Sequence, residues 1–143
     1  MNESSIALSR LYYDEDCWEI EIRASNGRFT AATFDPIYTQ PEELARFAEQ
    51  LVAFPKTIKD EARFEQGDPA SESAHILVRA FLFDGSGHSA IEFAARDHPN
   101  ARFASSSRFY LFAEAAAINR FGQRILTWLH NPHEPLHWIA QGE

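Results

Sequence analysis

The amino-acid sequence predicts an α+β domain, an antiparallel β-meander sheet with two α-helices packed on one face. Three observations point there. Residues 75–83 and 89–96 are β-rich runs separated by Asp84-Gly85-Ser86-Gly87-His88, and glycines in so short a gap signal a hairpin. Residues 17–23 alternate, with Trp18, Ile20 and Ile22 on one side and Cys17, Glu19, Glu21 and Arg23 on the other, as a half-buried strand requires. Two stretches, near residues 41–54 and 114–129, repeat apolar residues every three or four positions, the period of a helix lying on a core.

In chain order, Ile6–Tyr12 reads as a first strand and Asp14-Glu15-Asp16 as an acidic turn. After the strand at 17–23, Ser25-Asn26-Gly27 offers the Asn-Gly pair of a type I′ turn, and residues 28–34 return. Thr39 followed by Glu42 fits a capping box, with Pro41 in the first turn. Leu44, Phe47, Ala48 and Leu51 then form one stripe, and Pro55 ends the helix near Phe54. Residues 60–65 are a short strand candidate. In the central hairpin the second strand turns Ile91, Phe93 and Ala95 inward and Glu92 and Arg96 outward. Residues 101–104 and 107–111 are a last strand or a bulged pair. The second helix carries Ile118, Phe121, Ile125 and Leu129, interrupted by Gly122, which is read as a close-packing position. Leu44, Phe47, Leu51, Ile91, Phe93, Ile118, Phe121 and Ile125 are expected to share one core.

The chain's 143 residues fit one domain. Residues 1–143 therefore read as a single α+β domain, with 130–143 a docked C-terminal tail. No apolar run approaches a membrane span. The polar start Met1–Ser5 lacks the regions of a signal peptide, and Cys17, the single cysteine, excludes an internal disulfide. A cytoplasmic protein is the simplest expectation. The net charge is −8, and all of it lies in residues 1–72, with 15 acidic and 7 basic side chains against 6 and 6 beyond. That field repels phosphate backbones, so no nucleic-acid partner is expected, and it attracts a basic protein.

Chemistry-bearing motifs are few. Asp84 and His88 flank the hairpin glycines and would serve an acid/base pair or a ligand site, although aspartate at that place also caps a turn. His130, His133 and His137 with Glu134 have ligand chemistry, but Pro132 and Pro135 deny them a regular spacing; no metal is expected. Cys17 sits among Asp16 and Glu19, which disfavour a thiolate. There is no G-x-S-x-G, and Gly85-Ser86-Gly87 precedes a strand rather than a helix, unlike a phosphate loop. No catalytic residue and no cofactor is expected. The candidate partner-binding residues are Asp14, Glu15, Asp16, Glu19 and Glu21, five carboxylates within eight residues.

The run Phe29–Phe34, the helix Glu43–Leu51, Ala62-Arg63-Phe64-Glu65 and the turn Asp84–His88 with its following strand resemble the WapI-type bacterial immunity proteins and related small proteins of unknown function. The resemblance implies a non-enzymatic module that binds and neutralises a cognate, toxin-like protein. It implies no catalytic residues. Two other readings stand beside it: a small enzyme or ligand-binding protein using Asp84 and His88, and a structural homodimer.

Overall fold

The computed structural model describes residues 3–14, 16–33, 37–68, 70, 74–98 and 104–141. Among them the chain runs β1 (Ser5–Tyr13), β2 (Trp18–Ser25), β3 (Thr30–Ala32), β4 (Ile37–Thr39), α1 (Pro41–Ala53), β5 (Glu61–Gln66), β6 (His75–Leu82), β7 (Ser89–Arg96), β8 (Ser106–Phe112), α2 (Ala115–His130) and β9 (Leu136–Ile139). The fold is α+β and its strand pairs are antiparallel. The two meanders form separate sheets. Sheet A has the order β3-β2-β1-β9 with β4 also on β2, and sheet B the order β5-β6-β7-β8.

Turn chemistry shapes the first meander. The Asn26 side-chain oxygen accepts from the backbone N–H groups of Arg28 and Phe29 at 2.9 and 2.8 Å. Only Gly27 takes a positive φ, +86°, so the turn is not the type I′ predicted, which needs two such residues. The return strand begins later than expected, at Thr30; Phe34 of the predicted run lies outside the described residues, as do residues 101–103.

Thr39 does not cap α1. It is the last residue of β4, opposite Trp18, and its hydroxyl donates to the Gln40 carbonyl at 3.3 Å. The helix starts at Pro41 with Gln40 at the cap position and no side-chain cap bond. Proline suits that first position because its missing N–H would have had no helical partner. At the far end Asn119 of α2 supplies what the sequence of α1 lacks. Its amide nitrogen donates to the carbonyls of Leu51, Val52 and Phe54 at 2.9, 3.1 and 2.6 Å. The helices meet closely at Gly122, where a methyl group would stand 2.6 Å from the Ala48 carbonyl oxygen and 2.8 Å from Leu51 Cβ. That is the close-packing role its interruption of the stripe predicts.

One core joins both sheets and both helices. It contains Ile6, Ile20 and Ile22 of sheet A, Val78 and Leu111 of sheet B, and all eight residues expected to share it. From β9, Trp138 is fully buried, stacks on Phe121 at 4.8 Å between centroids and donates its indole N–H to the Ala117 carbonyl at 3.0 Å. No described helix is long and apolar enough to cross a membrane.

The outer face of sheet B carries a chain of ion pairs across its four strands, Glu65–Arg63–Glu61–Arg79–Glu92–Arg108, and His75 is hydrogen-bonded to Glu65 at its end. Glu92 does point outward, yet it is only 5% exposed because it is paired with Arg79 and Arg108, strand neighbours whose long side chains cover it. The Glu65 carboxyl is held below its ordinary range, first by its hydrogen bond with His75 and then by the Arg63 guanidinium. A depressed folded value stabilises the fold above the unfolded value and is lost as pH falls through the folded one. Glu65→Gln should therefore lower the urea midpoint at neutral pH, and the gap from wild type should close on acidification below the ordinary glutamate range. A gap that stays constant with pH would show that the pair adds no pH-linked stability.

Candidate functional site

The β1–β2 hairpin of sheet A brings together four of the five carboxylates named above. Asp14 is committed partly to the turn, where its Oδ1 accepts the N–H groups of Asp16 and Cys17, both at 2.9 Å. Asp16 is exposed beside it. Glu15 lies outside the described residues. Glu21 is half-buried and pairs with Arg23 at 3.6 Å. Glu19 is also half-buried on the outer face of β2, and among the described residues it has no ion-pair partner. Both glutamates thus point away from the core, as the alternation predicts, but neither is fully exposed.

The strand register adds what the sequence reading missed. Glu19 stands opposite Tyr12 on β1 and opposite Tyr38 on β4. Leu11, Tyr12, Tyr13 and Tyr38 are 55%, 65%, 55% and 61% exposed. Hydrogen bonding to Glu19, and then its negative charge, pushes the Tyr38 phenol above its ordinary pKa. The guanidinium of Arg10 lies 3.7 Å from the Tyr13 ring centroid and 4.9 Å from that of Trp18. The acidic hairpin is therefore also an aromatic surface. Tyr38 escaped the reading because β4 is only three residues long; the alternation Ile37-Tyr38-Thr39, buried-exposed-buried, was its one local signal.

The hairpin of sheet B gathers different chemistry. Asp84 Oδ1 accepts the N–H groups of Ser86 and His88 at 2.9 and 3.1 Å, and its Oδ2 sits 2.6 Å from His88 Nδ1. These bonds hold the Asp84 carboxyl below its ordinary pKa, the His88 side chain first. Asp84 thus caps the turn and orients the imidazole together. The Phe83 ring stacks on His88 and meets Phe112 edge-on, and Tyr110 meets Phe81 likewise. An open cleft of about 810 Å³ runs from Phe83, His88 and Phe112 to the start of α2 and Arg120. Asp84 does not line it, and the Ser89 hydroxyl within it is already donated to the Ala113 carbonyl.

The histidines of the C-terminal segment are separated. His130 ends α2, His133 lies in the following turn, and His137 is exposed on β9 between buried Leu136 and Trp138. Among the described residues no group of three metal-ligating side chains stands close enough to hold an ion. Cys17 is half-buried beside Trp18.

No family model matches the chain, and no curated protein matches it. Among solved structures the chain is similar to a plant transcriptional regulator, PBF-2, with a TM-score of 0.49 and 6% identity over 90% of this chain and 76% of that one.

Proposed function

We propose that this protein is a non-enzymatic binding module that recognises a basic protein through the β1–β2 hairpin of sheet A. One observation carries the reading: Glu19 and Glu21 share the outer face of sheet A with the exposed side chains of Tyr12 and Tyr38, beside the turn that holds Asp14 and Asp16. Carboxylates alone would serve solubility. Exposed tyrosines beside them supply the desolvated contact area on which protein interfaces depend, while the negative field speeds encounter. The resemblance to WapI-type immunity proteins makes a toxin-like protein the partner class, and a cytoplasmic setting accompanies that role.

The test is the association rate with the product of the neighbouring reading frame, measured against ionic strength. Glu19→Gln with Glu21→Gln should leave the fold intact or slightly more stable. It should slow association at low salt on the order of tenfold, with a loss that shrinks as salt rises. An unchanged rate at low salt would remove this surface as the binding site.

A second reading, ligand binding, is supported by the cleft beside His88, whose size falls within the usual range of small-molecule sites. It predicts saturable binding that is lost in Phe112→Ala and unaffected by Glu19→Gln.

A further inference from the structure

Helix α2 and the turn that leads from it into β9 form the walls of a groove of about 320 Å³. Arg120 and Arg124 line it from the helix and His137 from the strand, while Trp128, Pro135 and Leu136 give it an apolar wall. We infer that this groove binds a small organic anion, with its oxyanion on the arginines and its apolar part on that wall. The inference is independent of the protein-binding reading. The groove also differs from the cleft beside His88, with which it shares Arg120 alone.

Charge sets the class of ligand. α2 contains no aspartate or glutamate, and no carboxylate lines the groove. Arg120 and Arg124 are four residues apart, so their side chains share a helix face and their charges repel. Among the described residues neither has an ion-pair partner. Elsewhere in the chain Arg23, Arg63, Arg79 and Arg108 are each paired with a glutamate. An oxyanion relieves the repulsion, and guanidinium forks match the oxygens of a phosphate or a carboxylate. The net charge of −8 acts against an anion at long range, but salt at 0.1 M screens charges beyond about 10 Å, so the two nearby guanidiniums decide.

The fold itself holds the groove in shape. Arg120 donates from one terminal nitrogen to the carbonyls of Ile139 and Ala140 at 2.9 and 3.4 Å. That positions the guanidinium and leaves its other N–H groups for an acceptor. The Trp128 indole N–H donates to the Glu134 carbonyl at 2.9 Å and ties the turn to the helix. Trp128 and Leu136 are both buried, so the apolar wall is an edge of the core and not a mobile surface. Little ordering then opposes binding. The volume lies at the small end of the range for small-molecule sites.

Nuclear magnetic resonance titration with phenyl phosphate, benzoate and benzyl alcohol tests the site, since all three carry a ring and only the first two an oxyanion. At least one of the two anions should saturably shift the Trp128 indole N–H and the amides of the residues lining the groove. Benzyl alcohol should not. Whichever anion binds more tightly identifies the head group as phosphate or carboxylate. Arg124→Gln should weaken that binding about tenfold, the effect of losing one charge-assisted hydrogen bond. The Arg124 side chain is exposed and makes no hydrogen bond or ion pair among the described residues, so this variant should fold. Adding His137→Gln should weaken binding further. Arg46→Gln removes an equal charge from the exposed side of α1 and should change nothing. Inorganic phosphate should bind more weakly than phenyl phosphate; equal binding would overturn the role of the apolar wall. The site itself would be overturned if neither aromatic anion gave a saturable shift, or if Arg124→Gln bound as tightly as wild type. Neither result bears on the hairpin of sheet A.

Discussion

Trp138→Ala is expected to destabilise the protein by about 3–5 kcal/mol, the range for deleting a buried large aromatic. The side chain is fully buried, stacked on Phe121, and tied by its indole N–H to the Ala117 carbonyl in the first turn of α2. Its strand, β9, pairs with β1, with Trp138 opposite Ile6. Removing the indole therefore opens a cavity where sheet A meets α2 and cuts the hydrogen bond that positions them. Trp138→Phe should lose less, because it keeps the stacking partner and part of the volume. The urea midpoint of each variant measures the effect. A loss under about 1 kcal/mol for the alanine variant, far below that range, would mean that the neighbours collapse into the space.

Leu51→Ala should cost about 2–5 kcal/mol. Leu51 is fully buried on α1 against the glycine of α2. How far a cavity costs depends on whether its walls can relax. Here they are held: Asn119 grips the last carbonyls of α1, and the backbones approach so closely at Gly122 that a methyl group would not fit. The upper part of the range is therefore expected. Equilibrium unfolding in urea, with an unchanged slope, is the measurement; a near-zero change in midpoint would show that the stripe is not the packing surface.

Much of this protein was legible locally. The central hairpin lies where two β-rich runs and a glycine-containing gap place it, within one residue at the first strand's end. The alternation of residues 17–23 fixes which side of β2 is buried, and the spacing of Leu44, Phe47 and Leu51 fixes the buried face of α1. These features depend on the chemistry of residues near one another in the chain: a strand repeats every two residues, a helix every 3.6, and turns select glycine, asparagine and aspartate.

The tertiary structure decided what distant segments do to one another. The meanders became two sheets, because β1 pairs with β9 from the far end of the chain and β8 ends sheet B. The three- and four-residue strands β4 and β9 carry too few positions for a period to show, so only pairing defines them. Thr39 lost its predicted capping role to β4. Glu92, outward by alternation, is buried by arginines from β6 and β8. The same holds for the candidate site. Its carboxylates were legible as a run of charge, but Tyr38 reaches Glu19 only because β4 docks on β2. Local sequence sets which way a side chain points. What it meets there is set by the long-range pairing that closes the fold.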